Sequence, residues 1–513
     1  MTNNLKKILQ GSPATGFKLK KIQIDTHQEP IVYLNQNNPV CRSEGFSAMS
    51  RVRVITQHNS IIATVNVITN SFLKENEIGL SEYAWRLIGG QEGEDVSIAH
   101  TRPVESFSVV RGKLFGKSID QTQMHQIISD IVGGRYTQIQ LAAFILACLE
   151  DHLSLEEMCF LTQAMVDTGD RLQWGDKIVM DKHCVGGLPG NRTTPLVVSI
   201  VTACGLTMPK TSSRAITSPA GTADTLEVIT TVDLSLEQMK KVVESQGGCF
   251  AWGGTVNFSP SDDKLIQIER ALELDSEGQM VPSILSKKIA AGATHVVIDI
   301  PVGPTAKVRS QAFAQALQEK LVAVGKCMGL TVLPVITDGS QPVGRGVGPL
   351  WEMLDIIEVF NNQPHQPYDL RERATTLAGH ILEMGKVCEP NQGKALAETL
   401  LRDGQAWDKF QAICRAQGGI KDLPKPKFKH EILAPQRGVI CHFNNRFVAR
   451  LAKLAGAPTD PAAGIQFDVK LGDLVEKGQR LFTVYSENKG ELCYALDFLA
   501  GHPNEILIEA EQI

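Results

Sequence analysis

From Gly169 onward the chain repeats one order of segments: a short apolar run, a glycine-rich turn and a helix-like stretch. KIVM at 177–180 leads through a glycine-rich segment into the apolar stretch Leu196 to Ala203, which Gly205 closes. HVVIDI at 295–300 is followed by a helical stretch, 309–328, and then by LTVLPVIT at 330–337. A strand that returns parallel to its neighbour needs a crossover of about a dozen residues or more, usually a helix. These segments have that order and length, so the expectation is a mostly parallel sheet covered by helices.

The flanking segments have other periods. In residues 1–95 the runs IVYL (31–34), VRVIT (52–56) and SIIATVNVI (60–68) alternate with polar turns, which predicts a small β-rich module. From about residue 104 the period becomes 3.6, with Ile119, Met124, Ile127, Ile128 and Ile131 on one helical face that stops at Gly133-Gly134. Thr137 with Gln140, and Ser154 with Glu157, have the spacing of a capping box and open two more helices. Residues 421–513 return to short strands around Pro435-Gln436-Arg437-Gly438 and VKLGDLVEKGQRLFTV (469–484), where Gly472-Asp473 and Lys477-Gly478 mark turns. The expected architecture is a multidomain α/β protein. It has an N-terminal β-rich module (1–95), a core (96–420) and a C-terminal α+β module (421–513). The core combines a helical lobe (96–170 plus part of 262–290) with an α/β lobe.

With 513 residues, each of these parts is large enough to bury its own core. The formal net charge of −5 gives no sequence-wide basic field, which argues against a nucleic acid polymer or an acidic membrane as partner. A local phosphate or sugar site remains compatible. No apolar run approaches the ~18 residues of a membrane-spanning helix. The opening MTNNLKKILQGSPATG is too polar for a signal peptide, so a cytoplasmic protein is expected. Eleven cysteines are scattered without a CxxC pair, and HExxH is absent, so neither a metal site nor a disulfide framework is expected.

Two segments are dense in chemistry. Asp181 to Pro195 (DKHCVGGLPGNRTTP) combines glycines that let backbone amides turn inward, a lysine, two threonine hydroxyls and the start of a helix. That is an anion cradle, though neither a Walker loop nor GxGxxG. Taken alone it reads equally as a tight strand-to-helix connection with Thr194 as cap and Pro195 at the first helical position. Lys210 to Asp224 (KTSSRAITSPAGTAD) gathers hydroxyls, an arginine and a Gly-Thr turn, groups suited to phosphate oxygens and sugar hydroxyls. Each follows a predicted strand, which implies one polar pocket at an edge of the sheet.

Together with SILSKK (283–288) and ITDGSQPVGRGVGP (336–349), these segments resemble the thymidine/pyrimidine-nucleoside phosphorylase family, its type 2 branch in particular, over nearly the whole chain. The resemblance implies phosphorolysis, in which inorganic phosphate attacks C1 of a (deoxy)ribose while the base departs. The substrate would be a nucleoside such as thymidine or a nucleoside 5′-monophosphate such as AMP. It implies no cofactor and a homodimer or larger homo-oligomer. It places Lys182, Thr194, Ser212 and Thr222 at the phosphate, with Cys184, Gly186 and Gly187 in the same loop; Cys184 stands where a serine is usual. The nucleotide enzymes imply contacts from Gly187, Ser213, Arg214, Ala215, Ile216, Thr217, Ser218, Thr222, Ser283 and Lys307, with Asp275 as proton donor. The pyrimidine enzymes imply His183 as donor, with Arg270, Ser283 and Lys287 gripping the base. Outside that resemblance, Asp275 lies in ordinary turn sequence and Lys287-Lys288 reads as a solvated helix end.

Two alternatives make different demands. A phosphoribosyltransferase of the anthranilate type would need acidic residues for Mg²⁺ near the loop, and Asp181 and Asp224 are the candidates. A lipoyl-like carrier module in the tail would need a presented Met-Lys pair, which occurs only as Met239-Lys240.

Overall fold

The computed structural model describes residues 14–39, 45–149, 152–215, 218–272, 277–503 and 505–509, with backbone alone at 14, 15, 270 and 277. The chain falls into two compact units, one within Met1–Val109 and Asp130–Gln140, the other within Val110–Ser129 and Leu141–Ile513. In the first unit, β1 (Ala14–Lys21), β2 (Ile31–Asn35), β3 (Arg51–Ile55), β4 (Ser60–Ile68), β5 (Glu77–Leu80) and β6 (Asp95–His100) close into a barrel of order β1-β5-β2-β4-β3-β6. The period of two explains it: Val52 and Val54 are fully buried, while Arg53 between them is exposed. Closure of β6 on β1 leaves no free strand edge in the ring.

The helical stretch forms as its caps require. The Thr137 amide donates to Gln140 Oε1 and the Gln140 amide to Thr137 Oγ1 at the start of the helix Gln138–Ala147. Ser154 and Glu157 bond in the same way at the start of Leu155–Asp167. Glu157 also reaches beyond its own helix, since its carboxylate accepts from Lys113 Nζ at 2.6 Å and from the Ile119 amide at 2.8 Å, all three groups being buried.

The parallel sheet contains β7 (Met180–Cys184), β8 (Met208–Ser212), β9 (Gly248–Trp252), β10 (His295–Val302) and β11 (Thr331–Asp338). β10 pairs in parallel with both β7 and β11, and β8 pairs in parallel with β9. A parallel bridge between Val179 and Thr207 joins the two groups, with the Met180 amide donating to the Thr207 carbonyl at 2.8 Å. The resulting order is β9-β8-β7-β10-β11. β7 begins three residues later than KIVM suggests and runs through Asp181, Lys182 and His183, so the charged part of the cradle is strand rather than loop.

The C-terminal part is α+β, as expected. β12 (Gly346–Val347), β13 (Phe428–Leu433), β14 (Gly438–Phe443), β15 (Gly464–Phe467), β16 (Leu474–Val475), β17 (Arg480–Ser486) and β18 (Ile506–Glu509) form sheets of order β12-β15-β17-β13 and β16-β14-β18. The helices Asn445–Leu454 and Lys489–Ala500 cover a core that includes Phe443, Leu451, Phe467, Phe482 and Val484. β12 comes from the loop after β11, so the α/β lobe donates a strand to this sheet. Among the described residues no helix is long and apolar enough to cross a membrane.

Candidate active site

Strand order locates the site. The chain moves outward from β7 to β8 and β9, then returns to the other side of β7 as β10, making a topological switch point between β7 and β10. In open α/β sheets ligands bind outside the carboxyl ends of the strands at such a point. The loops leaving β7, β8, β10 and β11 converge there. A Cβ on Gly187 would lie 2.6 Å from the Lys307 amide nitrogen, so the loops after β7 and β10 touch backbone to backbone. Gly190 packs against the carbonyls of Val343 and Gly346, which places PVGRGVG beneath the cradle as support.

Lys182 is 1% exposed, and its ammonium donates to Thr193 Oγ1 at 2.7 Å. Thr193, rather than Thr194, is the cap of the helix Thr194–Ala203, and its hydroxyl makes no capping bond. Burial pushes the Lys182 ammonium below its usual range, with Arg192 and Arg373 adding to the effect and Asp299 opposing it. Asp299 on β10 is fully buried and accepts from Asn191 Nδ2 at 2.9 Å and Thr337 Oγ1 at 2.6 Å. Burial, reinforced by Asp299, pushes the Cys184 thiol up to about 12.

The second segment meets the first through Arg192. Its Nη1 donates to Thr222 Oγ1 at 2.9 Å and its Nη2 to the Ala220 carbonyl at 2.7 Å. The two segments therefore lie side by side, Ser212 ending β8 and Thr222 opening the short helix Thr222–Glu227. Asp224 accepts from the amides of Ala215 and Gly221, which ties both residues to the first turn of that helix.

Below His183 sits a buried cation cluster. Asp181 pairs with Lys288 at 2.8 Å and with Lys210 at 3.4 Å, and all three side chains are at most 5% exposed. Burial lowers Lys210 to about 7, with Asp181 opposing and Lys288 reinforcing. Burial and the ammoniums of Lys288, Lys210, Lys182 and Lys287 push the His183 imidazole well below its usual range. Lys287 pairs with Asp262, and Ser283 stands one turn before it on the helix Glu277–Ala290, so the two share a face.

Arg214 turns away from the cradle. It pairs with Glu227, Asp224 and Asp233 and lies over the Trp252 ring at 4.6 Å. With Val228, Pro424, Pro458, Thr459 and Pro461 it lines a cavity of about 530 Å³. Ser213 is exposed, and the Ser218 hydroxyl bonds back to the Ala220 carbonyl. Ile216, Thr217 and Asp275 lie outside the described residues, as does the Arg270 side chain. Sequence reading did not single out Arg192, Lys210, Lys288 or Asp299 for a role. Lysines inside the otherwise apolar neighbourhoods of Met208 and Ile289 are the signal that points to Lys210 and Lys288.

Among the described residues no cluster of three or more His, Cys, Asp or Glu side chains is placed to hold a metal ion. Asp181 is committed to lysines and Asp224 to backbone amides. Met239 is fully buried within the helix Leu236–Gln246, so Met239-Lys240 is no presented hairpin tip.

A helical bundle joined to an α/β lobe whose loops form a cationic cradle defines a glycosyltransferase. The sequence matches the glycosyl transferase family α/β domain over residues 176–407, its helical bundle domain over 108–169, and the pyrimidine nucleoside phosphorylase C-terminal domain over 439–500. Two proteins named "Putative thymidine phosphorylase" are close in sequence. That of Hahella chejuensis is 56% identical over 96% of this chain and 98% of its own length; that of Legionella pneumophila strain Corby is 50% identical over 98% and 97%. The crystal structure of anthranilate phosphoribosyltransferase from Thermus thermophilus shares the fold, with a TM-score of 0.50 and 18% identity over 60% of this chain and 98% of that one. The chain belongs to the thymidine/pyrimidine-nucleoside phosphorylase family.

Proposed function

We propose that the protein catalyses phosphorolysis of a nucleoside, with thymidine as the first substrate to test. The observation that carries the reading is the bridge from Arg192 to Thr222 and Ala220, which brings both hydroxyl-bearing segments to the switch point beside Lys182. There the cradle would hold orthophosphate with one oxygen aimed at C1 of the sugar. The C1–O bond forms as the C1–N bond breaks, its electron pair leaves with the base, and the base takes up a proton. Positioning and fixed positive charge supply the acceleration.

Within this reading His183, held neutral, hydrogen-bonds the base together with Ser283 and Lys287, and Asp275 delivers the proton. Thymidine is the name-giving substrate of the relatives, and a nucleoside suits the commitment of Arg214 to three carboxylates. A nucleotide is the second reading, favoured by the excess of lysines over acids around His183. Two further parts of the reading are a cytoplasmic setting, supported by ten described cysteines all unpaired, and a homo-oligomer, supported by the family resemblance.

The test measures base release from thymidine, uridine, AMP and CMP with and without orthophosphate. Thymine released only when phosphate is present is the expected result. Release at an equal rate in water alone would overturn phosphorolysis, and turnover of AMP alone would select the nucleotide.

A further inference from the structure

Arg192 is the meeting point of three elements. Nε donates to Glu352 Oε2 at 2.7 Å, Nη1 to Thr222 Oγ1 at 2.9 Å and Nη2 to the Ala220 carbonyl at 2.7 Å. Its side chain is 12% exposed and that of Glu352 is 1% exposed, so the pair is nearly enclosed. Glu352 is itself held: Oε2 also accepts from Thr225 Oγ1 at 2.9 Å, in the helix that Thr222 opens.

The helix carrying Glu352, Pro349–Phe360, is anchored by the C-terminal module. The Leu350 amide donates to the Pro461 carbonyl at 3.0 Å, the Trp351 indole to the Ala462 carbonyl at 3.1 Å, and the Trp351 ring stacks on Tyr485 at 3.8 Å. A chain of contacts thus runs from the C-terminal module through Glu352 to the guanidinium, and from there to both segments of the cradle. A planar fork with donors at fixed angles can hold three acceptors in register, which a lysine cannot. Besides the bridge that joins β7 to β8, this side chain links the loop after Lys182 to the Thr222 turn.

We propose that Arg192 is a positioning residue that sets the spacing of the two phosphate-binding segments, with Glu352 as the anchor through which the C-terminal module holds it. The inference rests on the phosphorylase reading for the identity of the anion, and its mechanism is geometric: loss of the fork lets the Thr222 turn drift from the Lys182 loop. Orthophosphate affinity should fall while the nucleoside pocket, built from the helix Glu277–Ala290, stays intact.

The experiment titrates the full-length protein with orthophosphate by calorimetry at fixed ionic strength, alongside thermal melts and steady-state kinetics. R192M alone leaves Glu352 buried and unpaired, which destabilises on general grounds. R192M/E352Q removes both charges and is the deciding variant. The expected result is a melting temperature near wild type, an orthophosphate Kd weakened at least ~10-fold and a nucleoside KM within ~2-fold of wild type, the loss of one charge-assisted bond network. R192K, which keeps the charge without the fork, should weaken phosphate similarly. A folded R192M/E352Q that binds orthophosphate as tightly as wild type would overturn the inference. Binding is read without nucleoside, so a wild type that binds orthophosphate yet cleaves none of the four substrates would end the phosphorylase reading and leave the Arg192 comparison intact.

Discussion

Lys182 Nζ donates to Thr193 Oγ1 across 2.7 Å, tying the middle of β7 to the cap of the helix that follows. The Thr193 hydroxyl makes no capping bond, so the first amides of Thr194–Ala203 keep their positive end open to an anion. Lys182→Met should therefore lower kcat/KM for phosphorolysis by about 10²- to 10³-fold, the scale of losing one preorganised charge contact. Its melting temperature should hold or rise, because an apolar chain replaces a buried ammonium. Steady-state kinetics and a thermal melt decide it; full activity in a folded variant would refute the cradle.

The His183 imidazole is kept neutral by burial and by four neighbouring ammoniums. Its folded pKa lies below its unfolded value, so between the two the unfolded chain binds a proton that the folded chain does not. Stability from this group is present above the unfolded pKa of 6.5 and is lost as pH falls through 6.5 towards the folded value. Urea midpoints of wild type and His183→Asn at pH 7.5, 6.0 and 5.0, three settings chosen around that value, should converge on acidification. An unchanged difference would show that the imidazole is not held neutral. The same shift predicts that His183 itself contributes no limb near 6.5 to the pH profile of kcat/KM.

How much was legible follows from what each residue does. The period of 3.6 found Met124, Ile127 and Ile128, all fully buried, and the Thr137 and Ser154 boxes form as spaced. The start of β7 was misplaced because a buried strand bearing Asp181 and Lys182 looks like a loop in any hydrophobicity pattern. Its compensating charges, Lys210 and Lys288, are remote in sequence. The same remoteness explains Lys287-Lys288, whose reading as a solvated helix end fails because Lys288 is 4% exposed against Asp181. Arg214 stood out in its segment, but its pairing with Glu227 and Asp233, 13 and 19 residues further along the chain, was not visible there. Arg192 and Asp299 act through partners on other strands and helices, and local spacing carries no trace of such pairings.

Cys184 ends β7, and burial raises its thiol to about 12. A protonated thiol alkylates slowly. Treatment with iodoacetamide at pH 8, a setting well below that value, should label exposed Cys327 and Cys493 while Cys184 stays unmodified, as read by peptide mass spectrometry. Cys184→Ser exchanges a weak donor for a stronger one. Its phosphate KM should fall by about 3-fold, a fraction of the ~1 kcal/mol of one hydrogen bond. A rise in KM would mean that the thiol is not directed at phosphate.

Gly190 and Gly175 separate backbone strain from close approach. Both have positive φ, +72° and +68°, so an alanine at either costs the left-handed penalty of about 1 kcal/mol. Around Gly175 a Cβ meets open space, and that penalty should be the whole effect. At Gly190 the Cβ would overlap the Val343 carbonyl and lie 2.8 Å from the Gly346 carbonyl, and neither backbone group can swing aside as a side chain would. Gly346 is fixed from the other side, because its amide donates to buried Asp355 at 2.7 Å. The clash must therefore push the cradle off its support. Gly190→Ala should lose about 3 kcal/mol or more of stability in urea unfolding, in the range of severe overpacking and strain. It should also raise the phosphate KM. Gly175→Ala should leave both kinetic constants unchanged. Equal behaviour of the two alanines would mean that the PVGRGVG loop does not support the cradle.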